Sequence, residues 1–142
     1  MKTHRDLEVW KLSMEMAKEI FHVVEGFPKG VSFVLVNQIT RAAVSVPSNI
    51  AEGSVKSSRR EFANFLSIAL GSLAELETQL VLARDLKYPV CSGIFDKVES
   101  VGKMLVMLRR KVRNDAGMGN GERGAGNGER GTGSREQGTG SR

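Results

Sequence analysis

The chain has 142 residues, 40% of them hydrophobic, which is enough for one core and hardly for two. Its formal charge of +5 is uneven: residues 1–113 hold 17 Lys+Arg against 12 Asp+Glu and residues 114–142 hold four of each, so the basicity belongs to the part that folds. A single cysteine, Cys91, excludes an internal disulfide framework; with no secretory apolar segment at the N-terminus and no apolar run near the ~20 residues of a membrane span, a reduced, cytoplasmic, non-membrane protein is expected.

The first helix is expected over about 6–25, where Leu7, Trp10, Met14, Ala17, Phe21 and Val24 recur at gaps of three and four. Lys11, Glu15, Lys18, Glu19 and His22 mark its polar side, with Lys11/Glu15 and Glu15/Lys18 spaced as near neighbours. Trp10 reads as a core residue ahead of an interface or ligand aromatic. His22 reads as solvated and His4 as part of a fraying terminus. Gly26-Phe27-Pro28-Lys29-Gly30 then breaks the periodicity, and Phe27 is expected to cover the end of the core.

The second helix is expected over about 33–52, with Ser32 as a candidate cap and Leu35, Ile39, Ala42, Val46 and Ile50 on one face. Pro47 interrupts it; a kink is favoured over two abutting segments because the apolar spacing resumes in phase at Ile50. Arg41, Ser45, Ser48 and Glu52 share a polar strip, with Asn49 beside it. Gly53 is placed to end the helix in a left-handed conformation.

The third helix, about 58–86, carries the strongest pattern: Phe62, Leu66, Ala69, Leu73, Leu76, Leu80 and Ala83 form a continuous seam, widened by Phe65, Ile68, Leu70 and Val81. Ser58 with Glu61 fits a capping box. Gly71, unfavourable in a helix by ~1 kcal/mol, implies either close approach of another backbone or simple tolerance. The fourth helix, about 92–113, aligns Ile94, Val98, Val101, Leu105, Leu108 and Val112, with Phe95 and Met104 alongside. Four such stripes joined by short links point to an all-α, antiparallel, up-and-down four-helix bundle spanning residues 1–113.

From Asn114 the apolar pattern stops. Gly119–Gly124 recurs at Gly126–Gly131 with a seven-residue offset, without an apolar seam, and residues 114–142 are expected to form a disordered Gly-rich tail.

Chemistry-bearing constellations are sparse. With no second cysteine and no clustered histidines, neither a metal site nor a catalytic thiol is indicated, and no cofactor motif is present. Glu75 and Glu77, two apart on a helix, diverge, so no enzymatic activity is expected. Glu77 lies near the apolar arc, where a buried carboxylate needs a partner; Arg41 is the expected one. Arg109, Arg110, Lys111 and Arg113 crowd the end of the fourth helix beyond what favourable dipole interactions require. Together with Lys56, Arg59 and Arg60 they are the candidate phosphate contacts, with no base-reading role.

Arg5–Lys11, Phe27-Pro28, Arg41–Gly53, Glu61-Phe62 and Ala69–Leu80 resemble the signature blocks of the bacterial four-helix bundle family, also called the 23S rRNA-intervening sequence protein (S23) family. The resemblance runs from residue 5 to about residue 112. It implies a four-helix bundle and a ring-like homopentamer, and no established activity; the family name records a location within rRNA genes. The family is also distantly similar to the accessory variability proteins of diversity-generating retroelements, basic assemblies that act with a reverse transcriptase and nucleic acid. Here Lys29–Ser32 lacks the acidic residues usual after Phe-Pro, and the tail is an addition. Two functional classes follow: a non-enzymatic oligomeric scaffold that binds RNA or DNA electrostatically, or a structural or protein–protein interaction module whose basic charge is incidental.

Overall fold

The computed structural model describes residues 3–117. After a 3-10 turn at His4–Asp6 come α1 (Glu8–Glu25), α2 (Phe33–Ser54), α3 (Arg59–Asp85) and α4 (Ser92–Asp115). Each helix packs on its neighbours in chain order and α4 closes on α1, giving a four-helix bundle whose diagonal pairs make no close backbone approach. The expected tail falls mostly on residues 118–142, outside the described residues.

In α3, all seven seam residues from Phe62 to Ala83 are buried, whereas Ile68, one of those expected to widen the seam, is 51% exposed. By length and composition alone α3 could cross a membrane, although no long unbroken apolar run was expected; its seam is buried in the bundle, where α3 packs on α2 and α4. At its start the Ser58 hydroxyl accepts from the Glu61 amide at 3.1 Å, while the Glu61 carboxylate meets that same hydroxyl, so only half of the capping box forms. At its end Lys87 adopts φ +69°, and the amides of Lys87 and Tyr88 donate back to Arg84 and Ala83, a left-handed C-terminal motif built without glycine. The α4 stripe is buried as expected except at Leu108, which is half-buried.

The face that α1 buries differs from expectation. Val9, Ser13, Met16, Ile20 and Val24 enter the core, joined by Ala17. Trp10 and Met14 are only half-buried and Phe21 is 47% exposed. The helix carries two apolar stripes of similar spacing, and packing selects the one led by Val9. The Ser13 hydroxyl is satisfied there by the Trp10 carbonyl at 2.8 Å. His4 does not fray: its ring meets Trp10 edge-on at 5.0 Å. Phe27 is buried against Tyr88 and covers the end of the core as expected. Ser32 precedes α2 without capping it, its hydroxyl donating to the Pro28 carbonyl.

The polar partners of α1 also differ. Lys11 pairs with Glu8 at 3.3 Å, and Lys97 of α4 reaches Glu15 at 3.6 Å and Glu19 more closely, tying α1 to α4. The hydrogen bond that Lys97 donates to the Glu19 carboxylate, followed by the negative charges of both glutamates, raises the Lys97 pKa above the ordinary 10.5. A raised lysine pKa stabilises the fold in full below its unfolded value, and the contribution is lost as pH rises through the higher folded value. The difference in thermal midpoint between the wild-type protein and Lys97→Met is therefore expected to be constant at neutral pH and to shrink above about pH 10.5. A difference independent of pH up to 11.5, roughly one unit beyond that value, would show that the ammonium contributes nothing as a charge.

The closest pairing, α2 on α3, depends on Gly53. This residue lies within α2 in a negative-φ conformation, so the expected left-handed helix end is not its role. A β-carbon there would stand 2.6 Å from Phe65 Cβ and 3.0 Å from Phe62 Cδ1. Gly71, by contrast, has open space where a β-carbon would go. Gly53→Ala is expected to destabilise the bundle by about 1–2 kcal/mol, overpacking outweighing the helix-propensity gain, whereas Gly71→Ala stabilises by up to ~1 kcal/mol. Urea titrations at one fixed protomer concentration would show the two midpoints moving in opposite directions. Above Gly53, Ser45 and Ser72 share a 2.7 Å hydrogen bond across the helix pair, and Asn49 donates to both the Ser45 carbonyl and hydroxyl. Pro47 is buried inside α2, which continues on both sides of it.

Candidate nucleic-acid interface

The up-and-down course places the end of α2, the start of α3 and the end of α4 at one end of the bundle. That course brings the two basic runs, 56–60 and 109–113, together, and Arg59 bridges them by pairing with Asp115 at 3.1 Å across 56 positions of sequence. Arg5, on the turn before α1, stands at the same end and was not among the expected phosphate-binding residues.

These cations are not equivalent. Arg60, Arg110 and Lys111 are exposed and form no ion pair among the described residues. Lys56 is held loosely, 3.9 Å from Glu52, with its ammonium 5.3 Å from the centre of the Phe65 ring. Arg59 lies 5.8 Å from the Phe62 ring centre in addition to its Asp115 partner. Arg109 is half-buried and donates to the Ser67 hydroxyl at 3.1 Å. Burial, with Arg113 nearby, lowers the Arg109 pKa from its ordinary value, but a guanidinium stays charged in this range. Arg109 and Arg59 thus brace the α3/α4 end, while Lys56, Arg60, Arg110 and Lys111 are free to meet a polyanion. Ser67 and Asp115, which sort the cations into these two sets, carry no such signal in sequence because they act across helices.

The expected Arg41–Glu77 pair is not formed. Both residues are exposed, Arg41 on α2 and Glu77 beside α4, and neither joins an ion pair among the described residues. The burial that called for a partner is absent: Leu73, Leu76 and Leu80 turn inward and Glu77 projects from the rim of their arc.

Two grooves lie on opposite sides of the bundle. The α1/α2 groove, about 410 Å³, is walled by Trp10, Met14 and Phe21 against Val44, Pro47 and Ala51, with Lys18 at its edge and no carboxylate in its lining. The α3/α4 groove, about 450 Å³, runs between Leu70 and Leu73 on one side and Phe95 and Val98 on the other, with Glu77, Asp96 and Glu99 in its lining. It continues past Gly102 to Val106 and Met107. Among the described residues no group of three or more His, Cys, Asp or Glu side chains is placed to hold a metal ion. Cys91 is exposed in the turn before α4.

No curated protein matches the chain. A crystal structure of a protein of unknown function from the S23 ribosomal protein family of Bacteroides thetaiotaomicron is similar at 27% identity and a TM-score of 0.54, covering 76% of this chain and 97% of that one. The family model described as 23S rRNA-intervening sequence protein matches residues 5–107, which takes in α1 to α3 and α4 as far as Met107, and the chain belongs to that family.

Proposed function

We propose that the protein is a non-enzymatic scaffold that takes a nucleic-acid backbone on the basic end of its bundle. The observation that carries this reading is the convergence of Lys56, Arg60, Arg110 and Lys111, drawn from segments some 50 positions apart, with their side chains left unpaired or only loosely paired. Guanidinium and ammonium groups free of strong carboxylate partners exchange condensed counterions for phosphate, and the affinity gained is electrostatic and independent of sequence. In this reading copies assemble as a ring-like homopentamer, which repeats a modest patch around an axis and multiplies its affinity. The likeness to accessory variability proteins belongs to the same reading, as basic assemblies that act with nucleic acid.

The test is fluorescence anisotropy with matched RNA and DNA probes, titrated in salt, alongside the mass of the protein in the same buffer. Binding that weakens steeply with salt is expected. Absence of binding to either probe at low salt rejects this reading and leaves the second one, a structural or protein–protein interaction module with incidental charge. That second reading has its own support in the two apolar grooves.

A further inference from the structure

The two grooves match each other in length and oppose each other in charge. From Trp10 to Phe21 the α1 wall runs about 17 Å, and from Phe95 to Met107 the α4 wall runs about 18 Å, at the rise of an α-helix. The α1/α2 groove offers Lys18 at its edge. Arg41 continues the α2 face of Val44 and Ser48 one turn further, and neither cation has a carboxylate partner among the described residues. His4 adds a buried Nδ1 without a hydrogen-bond partner in the same groove. Across the bundle, Glu77 and Asp96 are equally unpaired, and only Glu99 has a local cation, Lys103 at 3.4 Å. Side chains that would fill a facing groove stand out on both sides: Phe21 and Val44 on one, Val106 and Met107 on the other.

We infer that the α1/α2 groove of one copy receives the α3/α4 face of a second copy, with Lys18 and Arg41 of the first set against Glu77 and Asp96 of the second. This assignment rests on the assembly part of the proposed function and names the faces that meet. Charge selects a head-to-tail contact over a face-to-same-face one, because pairing either groove with itself would bring like charges together. A head-to-tail contact leaves one groove open on each new copy, so addition continues until a ring closes. The basic end lies along the bundle axis from both grooves, and stays free for nucleic acid when they are filled.

Charge reversal tests the pairing in sedimentation equilibrium. The wild-type protein is expected at a multiple of its 15.5 kDa protomer mass. K18E/R41E and E77K/D96K are each expected at protomer mass, and the combined K18E/R41E/E77K/D96K variant is expected to recover the wild-type mass. Wild-type mass in either two-site variant, or no recovery in a combined variant that retains its helicity, overturns the face assignment and leaves assembly standing. A wild-type protein at protomer mass overturns both. As a second measurement that leaves these charges in place, Phe21→Cys with Phe95→Cys, the α3/α4-groove residue level with Phe21 along the bundle axis, in a Cys91→Ser background is treated with a short bismaleimide. A ladder of cross-linked chains supports the head-to-tail contact; cross-linked dimers with F21C alone, or no cross-linking in an oligomeric protein, overturns it.

Discussion

Replacing Leu76 with alanine is expected to remove about 3–5 kcal/mol of folding free energy. Leu76 is fully buried at the middle of the helix that packs on both α2 and α4, so the vacated volume is walled by two helix interfaces. Such a site collapses poorly, and the cavity adds to the lost transfer free energy. For a domain of marginal stability this is a large share of the total. The control is Ile68→Ala, eight positions earlier on the same helix and 51% exposed, expected to change stability by less than ~1 kcal/mol. Urea unfolding followed by circular dichroism, at one protomer concentration because assembly would shift the midpoint, separates the two. Equal midpoints for the two variants would mean that the core does not run through Leu76.

Neutralising Lys56, Arg60, Arg110 and Lys111 to glutamine is expected to weaken nucleic-acid binding on the order of 100-fold at moderate salt. It should also flatten the dependence of log affinity on log salt by about 3 to 4, close to one for each phosphate that is no longer neutralised. All four side chains are exposed, so stability should move by no more than about 0.5 kcal/mol for each. Arg59 and Arg109 are kept because they hold Asp115 and Ser67, and losing them would confuse binding with packing. The loss should be alike for RNA and DNA probes of equal charge, since no base recognition is invoked. Unchanged affinity and an unchanged salt slope in this variant would remove the basic end as the site. A large loss confined to one probe would require base or sugar recognition that these residues do not supply.

How much of this was legible in sequence varies by element. The seam of α3 was legible at every one of its seven positions because they recur without a break at gaps of three and four; its width was not, since Ile68 faces outward. The two basic runs were legible as runs. Their convergence followed only from the up-and-down course of the helices. Which cations are braced and which free depended on Ser67 and Asp115, partners supplied by other helices. Glycine was least legible: Gly71 invited a packing role and Gly53 a helix end, but it is Gly53, not Gly71, that has another side chain within van der Waals reach of its missing β-carbon.

The four amphipathic helices, their joining by short links into one bundle and the positive charge of the folded part all follow from the order of residues alone. Those properties are local, set by periodicity, breakers and composition along the chain. The tertiary structure decided which of two similarly spaced stripes of α1 is buried, and so left Trp10, Met14 and Phe21 as the wall of an open groove. It also decided that Arg41 and Glu77 stand apart on the surface, available to a second chain. A helix with two apolar stripes has no preferred rotation until its neighbours occupy one side, and that choice belongs to packing.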